Sequence, residues 1–490
     1  MTQAVLTIIA FLAILLSLHV FIIAWLLWQH RCLKRNSNAT HPSSLVVYAS
    51  QSGQAESWAK HTAEQLGLAE NQIELLDIQE LTIEHLQQYQ RILWVVSTYG
   101  EGDAPDSAQH FSHKILSQSL DLSHVSFAIL ALGDRRYSQF CQFGLTLNQW
   151  LIQQSARELF PLVCADNLHA HDLQLWMNGL EQLSSSQLTI LNIQKDVVSL
   201  KLAHRECINV GSAGEAIYKV QLVSDMPVHW LSGDILEIQC ENSDIEIDTF
   251  LSAHQLSVES SDINQLRTLN LRHLPERHNQ LFDLWIQGFQ TLARREYSIA
   301  SLPSNGCIEL VVRQQQTATG LGLGSGWLTE GLQLGQQFNA HIQNNPSFHL
   351  LHDDRPVILI GNGTGIAGLM AHLRQREQWG FTQNWLIFGE RQQEFDHLYQ
   401  TKIDYWQQHG FLTHVDYAFS RDQAEKIYVQ DRLREQSERL IQWIAQGAAI
   451  YVCGSLKGMA GGVDQVLRER LGHEQLEQLK REQRYQRDIY

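Results

Sequence analysis

Repeated units of an apolar strand, a glycine-rich turn and a helix constrain this chain more than any other feature. In the first unit, "LVVYASQSGQAESWA", residues 45–49 are apolar and partly β-branched, and a hydroxyl- and glycine-rich turn leads into a helical pattern. Strands that are apolar throughout are typical of parallel sheets covered on both faces. The pattern predicts a multidomain α/β chain with doubly wound sheets, and a length of 490 residues predicts about three domains.

Three turns in the first third of the chain follow predicted strands and should therefore meet at one edge of a sheet. The first turn places hydroxyls and amides at a helix start without a lysine, which suits a phosphate monoester rather than a nucleoside triphosphate. The second, "STYGEGD", and the third, "LGDRRYSQFCQFG", each present a tyrosine, Tyr99 and Tyr137. Either tyrosine alone would be an ordinary surface residue, but together they predict a sandwich around a flat ring.

The middle third of the chain has a different pattern of apolar and polar residues. From about residue 198, short alternating runs such as "AIYKVQLVSDM" and "GDILEIQCEN" predict an antiparallel barrel, with a helical insert at about 248–291. Within "RREYSIAS", Arg295 and Tyr297 lie on one face of a strand, because side chains alternate along it. This pair suits a pyrophosphate and a ring, although an edge strand without a ligand explains it equally well. A later stretch, "GLGSGWL", is a second helix start suited to a phosphate.

The last third predicts a dinucleotide site. The segment "PVILIGNGTGIAGLMAHLRQR" reads as a strand, a glycine turn and a helix, although its spacing is not the strict G-x-G-x-x-G. The stretch "FSRDQAEKIYVQD" then brings together two cations and two hydroxyls. An adenosine 2′-phosphate needs such groups, whereas a free ribose hydroxyl favours an acidic residue, so the stretch favours NADPH over NADH. The alternative is a solvated charged loop.

These motifs resemble those of a known family over residues 45–490. The three early turns resemble the FMN loops of the flavodoxin-like domain in NADPH-dependent diflavin reductases, and the remainder resembles the ferredoxin–NADP reductase-like half of that family. The resemblance implies a flavodoxin-like domain at 45–185, an FAD-binding barrel at 198–350 and a Rossmann-like NADP domain at 351–490. The stretches "YQRDIY" and "SRDQAEKIYVQDRLREQ" resemble the flavoprotein subunit of sulfite reductase in particular.

The resemblance also implies the residues of each site. For FMN these are Ser50, Gln51, Ser52, Gly53, Gln54, Ala55, Ser97, Thr98, Tyr99, Gly100, Gly133, Tyr137 and Asp166. For FAD they are Arg295, Tyr297, Ser298, Gly324 and Ser325, with Tyr490 stacked on the flavin ring. For NADPH they are Thr364, Arg391, Ser420, Arg421, Lys426, Tyr428 and Gln430, and the catalytic residues around hydride transfer are Ser298, Cys453 and Asp488. Asn362 and Gly368 stand where the family often has proline, and the helical insert is short.

An apolar run precedes all of these motifs. Residues 4–28, "AVLTIIAFLAILLSLHVFIIAWLLW", carry no charge and are long enough to span a bilayer as a helix. A cleaved signal peptide is the alternative, but no basic residue precedes the run and no small-x-small site follows it. Basic residues follow at once, and positive flanks stay in the cytoplasm. We therefore expect a single-pass membrane anchor, similar to that of NADPH–cytochrome reductases, a linker at 29–44, and a large part facing the cytoplasm.

Amino-acid composition limits the classes of partner and site that the chain can have. A formal net charge of −16 disfavours nucleic acid and permits docking to a basic protein. The seven cysteines include no CxxC pair, so neither a metal site nor a disulfide framework is predicted. The expected function is electron transfer from NADPH through FAD and FMN to a haemoprotein or another one-electron acceptor, including a membrane iron-reducing partner. The alternatives are a sulfite reductase flavoprotein-type component, a ferric or iron-uptake reductase, and a flavin-holding scaffold without catalysis.

Overall fold

The computed structural model describes residues 44–51, 53–70, 73–99, 102–135, 137–183, 197–257, 259–277, 281–318 and 320–490. The predicted anchor at 4–28 lies outside the described residues, as does all but the last residue of the predicted linker. No helix within the described part of the chain has both the length and the apolar character needed to cross a bilayer.

The first unit is a parallel sheet with the strand order β2-β1-β3-β4-β5, and β6 also pairs with β4. Its strands are β1 (Ser44–Ala49), β2 (Ile73–Asp77), β3 (Arg91–Ser97), β4 (Ser126–Gly133), β5 (Arg157–Glu158) and β6 (Val163–Asp166). Its helices are α1 (Gln54–Glu70), α2 (Ile83–Gln88), α3 (Gln142–Gln153) and α4 (Ala170–Leu183), with short 3₁₀ turns at Ile78–Glu80 and Asp106–Ala108 and a π turn at Phe111–Ile115.

Alternation along the strands of this unit builds a core on each face of the sheet. On β3, Trp94 and Val96 pack into one core, whereas Leu93 and Val95 pack into the other. The continuous apolar runs are therefore strands covered by helices on both sides, as the sequence predicts. The two short strands β5 and β6 are separated by a segment that contains Pro161, which cannot donate to a ladder.

The second unit is a six-stranded antiparallel sheet with the order β10-β9-β14-β7-β8-β11. Its strands are β7 (Val197–Cys207), β8 (Ile217–Val223), β9 (Ile235–Ile238), β10 (Arg295–Ser298), β11 (Ile308–Arg313) and β14 (Gln337–Gln343), beside the two-stranded ribbon of β12 (Gln316–Thr317) and β13 (Gly320–Leu321). The Ala300 N–H donates to the Glu309 carbonyl (2.8 Å), so the chain segments at the two sheet ends meet and the sheet curves into a barrel.

The helical insert between β9 and β10 comprises α5 (Asp244–Ala253), α6 (Ser260–Leu266) and α7 (Phe282–Ile286). It has a small core of its own in which Phe250, Trp285 and Phe289 pack together. After β13 come α8 (Leu323–Gly326) and a π turn at Trp327–Gly331, and 3₁₀ turns lie at Pro303–Asn305 and Pro346–Phe348.

The third unit is a parallel sheet with the order β17-β16-β15-β18-β19. Its strands are β15 (Val357–Asn362), β16 (Asn384–Glu390), β17 (His414–Phe419), β18 (Ala449–Gly454) and β19 (Tyr485–Ile489). Its helices are α9 (Ile366–Trp379), α10 (Gln393–Asp396), α11 (Gln400–Gln408), α12 (Val429–Glu435), α13 (Ser437–Ala445), α14 (Gly461–Leu471) and α15 (His473–Arg481), with a 3₁₀ turn at Gly363–Gly365 and a π turn at Leu456–Ala460. The final strand β19 is an edge strand and carries the residues that lead to the chain's last position.

Candidate active site

One cavity of about 710 Å³ lies where the three units meet. Its walls come from the ends of β3 and β4, from β10 and the turn before α8, and from β19. The residues predicted from the sequence that line it are Gln51, Gln54, Ser97, Thr98, Tyr99, Gly133, Tyr137, Arg295, Tyr297, Ser298, Gly324, Ser325, Thr364, Asp488 and Tyr490. The structure therefore brings the two predicted flavin sites and the hydride site into one space.

The turn after β1 has the properties of a phosphate cradle. The Ser50 hydroxyl is buried and has no hydrogen-bond partner among the described residues. Gly53 adopts a φ of +78°, and α1 begins at the next residue, Gln54, so that its first N–H groups face this turn. A buried hydroxyl without a partner beside a helix start fits a bound phosphate. Ala55 is buried within α1, and Ser52 and Gly100 lie outside the described residues.

The ends of β3 and β4 are fixed by hydrogen bonds between neighbouring strands. The Ser97 hydroxyl donates to the Ala49 carbonyl (3.1 Å), and the Thr98 hydroxyl accepts from the Phe143 N–H (3.3 Å). A Cβ added at Gly133 would lie 2.8 Å from the Cys141 sulfur, so only glycine lets the third loop turn this tightly. These contacts hold the loops of Tyr99 and Tyr137 toward the cavity.

Asp166 has a positioning contact rather than a place in the cavity wall. Its carboxylate accepts from the Arg135 N–H (3.1 Å) and lies 3.6 Å from the Arg135 guanidinium. It therefore ties β6 to the loop that carries Tyr137.

The barrel side of the cavity is built around Gly324. A Cβ added there would lie 2.4 Å from Arg295 Cγ and 3.0 Å from the Tyr297 hydroxyl. The absence of a side chain lets the turn before α8 approach the R-x-Y-S strand closely. Ser325, the next residue, accepts a hydrogen bond from the Gln315 N–H (3.0 Å). Arginine, tyrosine and glycine-turn groups thus face one space, which fits a flavin with a pyrophosphate.

The three residues predicted at the hydride site are in contact. Cys453 on β18 and Asp488 on β19 are register partners on parallel strands, so their side chains share a face. The Ser298 hydroxyl donates to the Asp488 carboxylate (2.6 Å), and the Cys453 thiol lies 3.6 Å from the same oxygen. The sequence separates Ser298 from Asp488 by 190 residues, and only the docking of the barrel on the third unit joins them.

Burial sets the protonation of this group. It raises the pKa of Asp488, and the hydrogen bonds from Ser298 and Cys453 oppose that rise. Burial, together with the Asp488 charge, raises the pKa of Cys453 well above its ordinary value. The cysteine is therefore a neutral thiol that can only hydrogen-bond, and the carboxylate is the group that can offer negative charge.

Tyr490 covers the edge of the same cavity. Its N–H donates to the Gly454 carbonyl (3.0 Å), and its carbonyl accepts from the Leu456 N–H (3.0 Å), so its backbone is fixed. Its hydroxyl lies 3.1 Å from the Thr364 hydroxyl, and half of the residue is exposed.

A second cavity, of about 540 Å³, lies between the glycine turn and the ends of β16 and β17. The predicted NADPH residues that line it are Arg391, Ser420, Arg421, Tyr428 and Gln430. The Arg421 N–H donates to the Arg391 carbonyl (2.8 Å), which brings the two arginines together. The Gln430 side-chain oxygen is buried and has no hydrogen-bond partner among the described residues, which leaves an acceptor for a ligand. Lys426 is exposed on the loop between Arg421 and Tyr428.

Arg313 was missed by the sequence reasoning. It lines both cavities and forms an ion pair with Glu390, whose side chain is 3% exposed. A Cβ added at Gly363 would lie 3.2 Å from the Arg313 guanidinium, so the glycine turn runs against this arginine. The only sequence signal is a cation at the end of the apolar run "IELVVR".

Arg272 and His273 of the helical insert also line the first cavity and were missed. Arg272 donates to the Leu321 carbonyl (2.6 Å) and pairs with Glu246 (3.0 Å). The basic stretch "LRHLPERH" was the available signal, but it lies in a segment without a clear period.

Comparison with known proteins matches two of the three units to family models. Residues 46–176 match the Flavodoxin family model, and residues 359–465 match the model of the Oxidoreductase NAD-binding domain. The chain is 29% identical to the sulfite reductase [NADPH] flavoprotein alpha-component of Shewanella oneidensis, over 91% of this chain and 89% of that protein. The corresponding proteins of Neisseria meningitidis and Vibrio cholerae are 29% and 28% identical, over 92% and 94% of this chain and 90% of each relative.

The two matched models and the aligned flavoprotein relatives support a diflavin reductase family for this chain. The chain is an oxidoreductase whose cofactors are FMN, FAD and NADPH. The aligned length of 545 residues with the Shewanella protein exceeds the 490 residues of this chain, so that relative carries insertions that this diflavin reductase lacks. A short helical insert is consistent with that difference.

The predicted membrane localisation is contradicted by the relatives. Those that align over about nine-tenths of the chain are flavoprotein components of sulfite reductase. The expectation of an anchored cytochrome-type reductase is corrected accordingly.

Proposed function

We propose that this diflavin reductase delivers electrons from NADPH, through FAD and FMN, to a haemoprotein of the sulfite reductase type. The observation that carries the proposal is the single cavity in which the FMN loops, the R-x-Y-S strand and the hydride-site residues all face one another. The relatives are flavoprotein components of sulfite reductase, which supports the choice of acceptor. A scaffold without catalysis would have no need for the contact between Ser298, Cys453 and Asp488.

The chemistry supplied by the bound cofactors is hydride transfer from NADPH to FAD and single-electron transfer to FMN and the acceptor. Asp488 offers a negative charge at the position where the nicotinamide becomes cationic. Ser298 holds the Asp488 carboxylate by donating its hydroxyl proton, and the neutral Cys453 thiol supports the same oxygen. Arg391 and Arg421 would bind the 2′-phosphate, and Tyr490 would cover the flavin until the nicotinamide displaces its ring.

The acceptor should dock by charge. Residues 45–180 contain 15 acidic and 6 basic side chains, so the flavodoxin-like unit attracts a basic surface. At about 0.15 M salt, screening reduces the reach of this attraction to roughly 8 Å. The rate of acceptor reduction should therefore fall as salt rises, whereas reduction of ferricyanide, a trianion that the acidic surface repels, should rise because salt screens the repulsion.

The direct test mixes the flavin-loaded chain with purified sulfite reductase haemoprotein, NADPH and sulfite. Sulfide should form only when both proteins are present, and heat release of the flavins should give one FMN and one FAD per chain. Turnover with ferricyanide but none with the haemoprotein would refute the proposed acceptor and leave the diflavin chemistry intact. A single flavin type in the extract would contradict the two-site architecture itself.

A further inference from the structure

Tyr99 makes an unexpected contact with the far end of the chain. Its hydroxyl donates to the Ile489 carbonyl (2.7 Å) and accepts from the Ile489 N–H (3.0 Å), across 390 residues of sequence. A hydroxyl has one donor and two acceptor sites, so one side chain satisfies both backbone groups of one residue. This tyrosine belongs to the second FMN loop, and Ile489 belongs to the third unit.

The strand geometry explains why Ile489 accepts such a partner. β19 is an edge strand, and the backbone groups of Tyr490, the next residue, pair inward with β18. Backbone groups alternate in direction along a strand, so the N–H and carbonyl of Ile489 point away from the sheet. An edge of this kind presents unpaired groups to an incoming partner. Here the incoming partner is the Tyr99 hydroxyl.

Packing supports the same contact. The Tyr99 ring packs against the core of the third unit, and the Ile489 side chain belongs to that core with 6% exposure. A second link lies nearby, where the Ser347 hydroxyl donates to the Gln51 carbonyl of the phosphate turn. The FMN loops are therefore fixed against the rest of the protein by backbone-directed bonds at two places.

The contact also joins two functions. Ile489 lies between Asp488, at the hydride site, and Tyr490, at the edge of the flavin cavity. In this docked arrangement the FMN loops and the FAD-site residues line one cavity, which suits electron transfer between the two flavins. We expect a large acceptor, which must approach from outside this cavity, to receive electrons after the flavodoxin-like unit leaves this position.

The geometry points to Tyr99 as a latch, a positioning residue whose hydroxyl holds the flavodoxin-like unit against β19 while electrons pass between the flavins. Its release exposes the FMN to the acceptor. The inference rests on the diflavin family and not on the identity of the acceptor.

The test is Tyr99→Phe in the full flavin-loaded chain, because phenylalanine keeps the ring and removes both bonds to Ile489. Two lost hydrogen bonds should shorten the dwell time of the docked state by about 5- to 150-fold. Single-molecule fluorescence transfer, with one dye on an exposed helix position of each unit, measures that dwell time. Stopped-flow mixing with NADPH should show slower arrival of electrons at FMN, while FMN and FAD contents stay at one each.

Tyr89→Phe is the matched control. It removes a hydroxyl that donates to Glu74 within the flavodoxin-like unit and leaves the bonds between Tyr99 and Ile489 in place, so its docked dwell time should stay within about twofold of the unmodified chain. A Tyr99→Phe chain with unchanged dwell time and unchanged transfer to FMN would overturn the latch. Loss of FMN from Tyr99→Phe at an unchanged dwell time would also overturn it and would assign the hydroxyl to cofactor binding.

Discussion

Replacing Tyr490 tests whether the last side chain of the protein gates access of the nicotinamide to the flavin. Two hydrogen bonds to β18 and its following loop hold the backbone of Tyr490, and a third contact joins its hydroxyl to Thr364. Thr364 is itself expected to bind NADPH. The Thr364 hydroxyl, which is expected to bind the cofactor, is thus in contact with the Tyr490 hydroxyl when the cofactor is absent.

The magnitude follows from these contacts. Stacking of the Tyr490 ring on a flavin contributes roughly 0.5–1.5 kcal/mol beyond burial, and one hydrogen bond contributes about as much. Displacing the ring therefore costs NADPH about 1–3 kcal/mol, or about 5- to 150-fold in affinity. Tyr490→Phe removes the hydroxyl alone and should tighten NADP⁺ binding by about 2- to 12-fold. Tyr490→Ala removes both the ring and the hydroxyl and should tighten NADP⁺ binding by about 5- to 150-fold.

Two measurements decide the matter. Titration with NADP⁺ gives the dissociation constant of each variant, and stopped-flow reduction of the bound FAD gives its rate with NADPH and with NADH. NADH has no 2′-phosphate to anchor it, so opening the gate should raise its rate more than that of NADPH. The graded order of wild type, Tyr490→Phe and Tyr490→Ala is the signature of a displaced side chain.

Two results would refute this reasoning. If both variants keep the wild-type affinity for NADP⁺ and the wild-type NADPH-to-NADH ratio, the ring does not compete with the cofactor. If Tyr490→Ala weakens NADP⁺ binding, the ring contributes to the binding site instead of covering it.

Three further predictions concern charge. Arg421→Ala should weaken NADPH binding by about ten- to a hundredfold and leave NADH binding nearly unchanged, because only NADPH has the 2′-phosphate; equal losses would place that phosphate elsewhere. Asp488→Asn should slow FAD reduction by about ten- to a hundredfold. In the wild type the rate should fall as acid protonates Asp488 at its raised pKa, and the variant should lose that acid limb in a stopped-flow pH profile. Burial lowers the pKa of His372 to about 3, whereas a histidine in the unfolded chain has a pKa near 6.5. Acid therefore protonates the unfolded chain first, and the free energy of unfolding present above pH 6.5 falls by about 2 kcal/mol at pH 5. His372→Leu and His372→Gln should both remove this loss of stability between pH 7 and pH 5, even if each lowers stability at both pH values by disturbing packing. Hydrogen exchange of the β15 amides at the two pH values measures the difference.

Much of the candidate site could be predicted because its parts are local. The strands of the first and third units are continuous apolar runs, and the turns after them carry the glycines and hydroxyls that a phosphate needs. Gly324 is an example, since a side chain there would collide with Arg295. Ligand sites of this kind depend on a few consecutive residues, so the sequence displays them directly.

Other parts could not be predicted. Arg313 was missed because its importance lies in reaching from the barrel to Glu390 in another unit.

The sequence by itself determined the class of the units, the candidate loops for phosphates and flat rings, and the set of cofactors, since each depends on backbone geometry and chemistry within a short stretch. Only the tertiary structure decided that Ser298, Cys453 and Asp488 share hydrogen bonds, and that the Tyr99 hydroxyl meets Ile489. These contacts arise where separately folded surfaces dock. Periodicity reports which side of an element is buried, but it does not report which distant element covers that side.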